Sequence, residues 1–291
     1  MKTNYRWTPY LFILPAFGIY TFTVLIPVSG TFISSFTRWN GYGSPIWVGF
    51  SNYLRAAGDT IFLNSFKHVF IYILATIFLE VAVGLILAGI LSSRKKTDIY
   101  RIALFVPVML PMVIVAVLWR FVFNGDFGLL NGLMEKIGKP EWQQIWLGDP
   151  KFALAAICFV SGWVYSGFYL AIFYAGLQRL PREVIESAAI DGANQRNVFW
   201  RIKVPMIRRL WEVAVLICVT GGIQGFDLFY VMTNGGPYYA TEVPTTYMVR
   251  TVFRDQEIGY GSALAIIVTT SVLLVGVLYS KLRRSSELVE Y

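Results

Sequence analysis

LQRLPREVIESAAIDGANQRNVFWRIKVPMIRRL, residues 177–210, is a basic, polar segment in a chain that is otherwise strongly apolar. Its local signals can be read directly. Leu180-Pro181 opens a helix, because proline suits the first turn, and Glu183 lies where the positive helix end favours an acid. Val184, Ile185, Ala188 and Ala189 make a small apolar face at helical spacing. Asp191-Gly192 then breaks the helix, since glycine takes the left-handed conformation that closes a helix end. Asn194 or Asn197 can cap a second helix. Phe199, Ile202 and Met206 line one side of it, with Arg196, Arg201, Lys203 and Arg208 on the others, and Pro205 marks a bend. The segment therefore predicts a short helix, a glycine elbow and another short helix.

The surroundings of this segment are those of a membrane protein. The chain has 291 residues, 56% hydrophobic and only 14% charged, with a mean hydropathy of +0.57. Soluble domains run at about 45–50% apolar and about 25% charged. That composition excludes a disordered chain, a nucleic-acid-binding module and an ordinary cytosolic enzyme. Six spans are predicted, at residues 10–34, 64–91, 102–123, 152–177, 210–231 and 258–280, each near the ~20 residues that cross a bilayer. The first reads as a retained span, because no charge falls between Trp7 and Thr37 and that run is too long for a signal core. Pro107 to Pro111 predicts a kink in the third. The fifth has the weakest hydropathy, being interrupted by Glu212, Gly221, Gly222, Gln224 and Asp227. The whole chain reads as a single transmembrane domain.

Six spans put both termini on one side. Sixteen of the 25 Lys and Arg residues fall on that side, and the positive-inside rule makes it cytoplasmic. The segment 178–209 is then the longest cytoplasmic connection. Two physical readings of it stand: a knob of small residues that seats in a socket on a cytoplasmic partner, or an amphipathic loop lying on the membrane surface.

A resemblance decides between them. The segment resembles the EAA loop of ABC-type importer permeases, which has the form E-A-A, a glycine four residues on, and I-x-L-P beginning ten residues after the glycine. Glu186, Ala188, Asp191, Gly192 and Ala193 fall in place, and Ile202 and Pro205 follow at that spacing. Ser187 stands where the first alanine is usual and Val204 where leucine is usual, replacements that keep the one site small and the other apolar. The resemblance implies an all-α integral membrane protein with six transmembrane helices and a MetI/maltose-permease-like fold. It implies that the loop, Glu186 and Gly192 included, docks on a separate ATP-hydrolysing subunit. The chain itself has no G-x-x-x-x-G-K-[ST] phosphate loop. No cofactor is expected in it; ATP and Mg belong to a dimer of partner ATPase subunits.

A second stretch extends the resemblance. Phe226-Asp227, Thr233-Asn234-Gly235-Gly236-Pro237, Thr241, Tyr247, Phe253 and Tyr260-Gly261-Ser262-Ala263 are similar to the carbohydrate-uptake branch, of which the maltose and glycerol-phosphate permeases are members. That branch implies a second, related permease chain, an extracytoplasmic sugar-binding protein, a lipid environment and a bacterial or archaeal cytoplasmic membrane, with no nucleic-acid partner. Polar and aromatic groups inside lipid usually line a cavity, and sugars present both hydroxyls and apolar ring faces. The fourth span offers Trp163, Tyr165, Ser166, Phe168 and Tyr169; the fifth offers Gln224 and Asp227 among glycines. The family's sugar contacts, carried over by position, point to Val164, Tyr165, Phe168, Gln224, Gly225 and Asp227.

Other classes leave fewer signs. Glu80, inside the second span, reads either as an ion site or as a carboxylate paired within the bundle or facing a subunit interface, and an ion-coupled transporter would use it or Asp227. An importer for a non-sugar solute such as glycerol phosphate is the other alternative. Cys158 and Cys218 read as small buried hydrophobes, and His68 is the lone histidine, so no metal spacing or catalytic constellation is present in the sequence.

Overall fold

The computed structural model describes residues 8–94 and 96–287. In lipid no water satisfies a backbone N–H or C=O, so an apolar chain of this kind folds into helices that bond internally. The described elements are accordingly helical apart from one two-residue ladder, in which β1 (Thr37–Arg38) pairs antiparallel with β2 (Ile46–Trp47).

The helices are α1 (Tyr10–Ser34), α2 (Ser51–Gly58) and α3 (Thr60–Ser92), then α4 (Asp98–Met109), α5 (Met112–Val122) and α6 (Leu129–Lys136). Next come the long α7 (Pro150–Gln178), α8 (Arg182–Ile190) and α9 (195–206). The chain continues with α10 (Arg208–Ile223), α11 (Asp227–Met232), α12 (Pro244–Phe253) and α13 (Ile258–Glu287).

Among the described residues, four helices are long and apolar enough to cross a membrane: α1, α3, α7 and α13 as far as Lys281. The pair α4 and α5 makes a fifth if its two arms, bent by 98°, count together. The kink expected at Pro107 to Pro111 is thus nearly a right angle. Leu110 precedes a proline and is extended, with ψ 140°, and Pro111 has no N–H to continue the helical ladder. The fifth expected span, 210–231, is not one helix. It is α10, a break at Gln224–Phe226, and the six-residue α11. Of the residues that weakened its hydropathy, Gly221, Gly222, Gln224 and Asp227 lie where the helix stops and restarts, while Glu212 lies inside α10.

The chain forms two compact units. One comprises the described residues up to Leu63 together with Tyr247–Ser271. In it, α1 turns its apolar side chains outward, with Phe12 81% and Phe22 74% exposed, a surface that suits lipid. Asn52 Nδ2 donates to the carbonyls of Ser35 and Thr37, both at 2.9 Å, and the Gly259 N–H donates to the Trp39 carbonyl at 3.1 Å. Asp59 caps α3 by accepting from the N–H groups of Ile61 (3.0 Å) and Phe62 (3.1 Å). Its other oxygen accepts from the hydroxyls of Tyr247 (2.6 Å) and Tyr260 (2.7 Å). Nearby, Arg55 bridges to Glu257 at 2.7 Å and lies 4.0 Å above the ring of Tyr260.

Partial burial pushes the Asp59 carboxyl up, but the bonds from Tyr247, Tyr260 and the two backbone N–H groups outweigh it and hold the carboxyl below its ordinary value. A carboxyl whose folded pKa is depressed contributes stability above its unfolded pKa, and that stability is lost as pH falls through the folded pKa. Asp59→Asn is therefore expected to melt below wild type at pH 7, with the gap narrowing below about pH 4. Thermal melts in detergent across pH 7 to 3 measure it, and a gap that stays constant down to pH 3 would contradict the assignment.

The second unit comprises Asn64–Thr246 and the described residues from Val272. Its centre is α7, whose Ile157, Val160, Val164, Leu170 and Phe173 are fully buried. Close helix approach depends on missing side chains. A Cβ at Gly167 of α7 would overlap the Leu104 carbonyl of α4, and one at Gly84 of α3 would lie 2.8 Å from Tyr169 Cβ. An apolar cluster including Val81, Ala88, Tyr169, Phe173, Ile207 and Ala214 joins α3, α7 and α10.

Candidate functional site

Two features of the second unit bear on function: a cavity among the helices and the loop between α7 and α10. The cavity has a volume of about 450 Å³. Its main walls come from α3, α7 and the break between α10 and α11, with Val108 of α4 and Met112 of α5 closing one side. The first wall is α3, where a π-helical turn at Ile77–Ala82 carries Glu80. The second is α7, where Tyr165, Phe168 and Tyr169 share one face at helical spacing. The third is the break between α10 and α11, where Gln224, Gly225 and Asp227 lie.

Five of the six pathway residues expected from the sequence, Tyr165, Phe168, Gln224, Gly225 and Asp227, therefore line one cavity. Val164 does not: it is 1% exposed and packs inside the bundle, on another face of α7. Trp163 is also turned away, its ring edge-on to Trp119 with centroids 5.5 Å apart. Sequence reading missed Tyr72, Thr76, Met112 and Cys218 as lining residues. Nothing local marks them, because helices remote in sequence bring them together.

Glu80 is both bonded within the bundle and part of the cavity wall. The Ser161 hydroxyl donates to its Oε1 at 2.7 Å, and Cys218 Sγ lies 3.8 Å from its Oε2. Ser161 has a single hydroxyl proton, so the Tyr72 hydroxyl, 2.7 Å away, is the donor to Ser161 Oγ.

Beyond the cavity, the turn at Asn234-Gly235-Gly236-Pro237 is anchored from inside. Thr241 Oγ1 donates to the Gly236 carbonyl at 2.6 Å and pairs with Thr233 Oγ1 at 2.7 Å. The side chain of Glu242, fully buried, packs under Gly235 and accepts from Thr246 Oγ1 at 2.6 Å. Its backbone carbonyl bonds His68 Nδ1 at 2.9 Å. Sequence reading found Thr241 but not Glu242, and it left His68 without a role.

The loop folds as its local signals predict. Helix α8 ends in a Schellman motif: the Ala193 N–H bonds the Ala188 carbonyl at 3.0 Å, and the Gly192 N–H bonds the Ala189 carbonyl at 3.1 Å. Gly192 sits at φ +82°, a conformation that few residues other than glycine adopt. The Asn194 side chain then caps α9, accepting from the Asn197 N–H at 2.8 Å. Glu186, Ser187, Asp191, Gly192 and Pro205 are exposed, while Ala188, Ala193 and Ile202 are half-buried. Phe199 of α9 presses its ring on Gly89 of α3, so α9 rests on the end of a long helix. What the loop presents outward is α8 and the elbow, with Ile190 85% exposed.

Residues 80–286 match the family described as binding-protein-dependent transport system inner membrane component. The chain belongs to this family. It is a permease of the ABC-importer class, a multi-pass membrane protein. Among relatives, this permease is 32% identical over 277 residues to the probable ABC transporter permease protein YurN of Bacillus subtilis, covering 94% of each chain. It is 31% identical to the trehalose/maltose transport system permease protein MalF of Thermococcus litoralis, covering 94% of the permease and 93% of that relative. Its fold matches a bacterial ABC transporter involved in the import of the acidic polysaccharide alginate with a TM-score of 0.85 at 19% identity, covering 96% of each chain. That last likeness carries the fold alone.

Proposed function

We propose that this permease forms half of the translocation pathway of an ATP-driven importer for sugars or oligosaccharides. The observation that carries the reading is the cavity: the aromatic faces of Tyr165 and Phe168 meet the hydrogen-bonding groups of Gln224, Gly225 and Asp227 in one space of about 450 Å³. Aromatic platforms suit the apolar faces of a sugar ring, and a few placed polar groups suit its hydroxyls. The trehalose/maltose relative supports the same substrate class.

The energy comes from elsewhere. A separate dimer of ATPase subunits binds ATP and Mg and receives α8 and the glycine elbow in a groove. Glu186, Ser187, Ala188, Asp191, Gly192, Ala193, Ile202 and Pro205 form or support that contact. Closure of the ATPase dimer moves the loop, and α9, seated on Gly89, passes the movement to α3 and the cavity wall. A second, homologous permease supplies the other half of the pathway, and an extracytoplasmic binding protein delivers the sugar. In this arrangement the permease crosses the cytoplasmic membrane six times, with the bent α4–α5 pair and the broken α10–α11 pair as the third and fifth crossings, and both termini are cytoplasmic.

Inside-out and right-side-out vesicles carrying the whole transporter test the energy source. Uptake is expected to follow ATP supply and to survive collapse of proton and sodium gradients. Uptake that collapses with a gradient and ignores ATP would instead favour an ion-coupled transporter working through Glu80 or Asp227.

A further inference from the structure

The cavity has a charge pattern that the family assignment does not contain. Two carboxylates line it, Glu80 from α3 and Asp227 from the start of α11. Among the described residues, none that lines it is Lys, Arg or His. The two acids are held differently. Asp227 is exposed to the space. Glu80 is 5% exposed and fixed from three helices at once. Ser161 of α7 donates to one of its oxygens, Cys218 of α10 approaches the other, and the π-helical turn of α3 sets its direction. Thr76, one turn earlier on α3, gives its own hydroxyl to the Tyr72 carbonyl at 2.9 Å. The donors on the α3 side are thus already committed to acceptors inside the protein, and that side offers a ligand acceptor capacity; the Gln224 amide and the Tyr165 hydroxyl are the donors opposite, and Asp227 adds a carboxylate.

We propose that Glu80 and Asp227 make this half of the pathway select neutral or amino-bearing saccharides and reject acidic ones. The inference rests on the saccharide-importer reading and deepens it. Sugar hydroxyls and ammonium groups are donors, and they complement a wall of acceptors. A uronate, sulfonate or phosphate group would bring a further negative charge beside the exposed Asp227 carboxylate, with no cation among the described lining residues to receive it. The same argument disfavours glycerol phosphate as the substrate.

The test uses the assembled transporter, with its partner permease and ATPase, in nanodiscs with a non-hydrolysable ATP analogue and without the binding protein, whose own selectivity would mask the effect. Equilibrium binding is measured for maltose, trehalose, maltotriose, cellobiose and chitobiose, and for digalacturonate. The best-bound neutral sugar is expected to exceed digalacturonate by about tenfold or more, the scale of one like-charge contact near a protein surface. Asp227→Asn, at an exposed position, and Glu80→Gln, which keeps an oxygen for Ser161, are each expected to narrow that ratio by raising digalacturonate affinity. Equal binding of neutral and acidic sugars by wild type overturns the inference, as does a ratio that neither variant changes. Binding of no saccharide at all overturns the importer reading and the inference with it. If Glu80→Gln fails to assemble, Asp227→Asn alone decides.

Discussion

Gly192→Val is expected to leave the permease inserted and assembled in the membrane and to cut substrate uptake by about ten- to hundredfold. The elbow at φ +82° has open space around it, so the substitution clashes with nothing inside this chain. Its effect is conformational. A β-branched residue held in the left-handed region costs on the order of 1–3 kcal/mol. The chain avoids that cost by unwinding the Schellman turn, which tilts α8 away from the angle proposed for docking. A coupling shift of about 1–3 kcal/mol corresponds to a change of about 5- to 150-fold. Glu186→Ala, on the exposed side of α8, is expected to act in the same direction. The measurement is uptake and ATP hydrolysis in parallel, together with a blot of the membrane fraction. Full uptake by both variants at normal abundance would sink the coupling role of this loop.

Gly167→Leu has the largest expected effect on the fold itself: loss of folded protein. The α4 chain passes so close to α7 that a Cβ at residue 167 would overlap the backbone carbonyl of Leu104. A side-chain neighbour could rotate aside, but a carbonyl moves only with its helix. The two helices would have to separate, at a cost of about 3 kcal/mol or more. Because α4 leads into the 98° bend beside Val108 and Met112, the cavity wall would move with it. Fluorescence-detected size exclusion of detergent extracts is expected to show no monodisperse peak for Gly167→Leu and a normal peak for Gly221→Leu. A Cβ at Gly221 meets nothing within 4 Å. A normal peak for Gly167→Leu would show that the close approach is not obligatory.

The parts of this protein written in short, local signals were legible without a structure. The loop is the clearest case. Proline at the start of α8, glycine at the elbow and asparagine before α9 each act within a few residues, and each took the predicted role. The apolar runs of α1, α3, α7 and α13 were legible for the same reason, because hydropathy is a property of one segment. The fifth predicted span shows the limit. Gly221, Gly222, Gln224, Gly225 and Asp227 signalled weakness in a helix, but not that the helix would stop and restart around a cavity. Periodicity places Tyr165 and Phe168 on one face of α7, yet Val164 had to be seen to be excluded from it.

The sequence by itself determined the membrane class, the long apolar helices and the helix–elbow–helix of the loop, because composition, hydropathy and capping act over neighbouring residues. Only the tertiary structure decided which side chains share the cavity. Glu80 meets Ser161 81 positions away and Cys218 138 positions away, and Gly167 meets Leu104 from another helix. Those meetings depend on the angles at which whole helices cross, which the packing of the entire bundle sets. The charge of the cavity is a consequence of that packing.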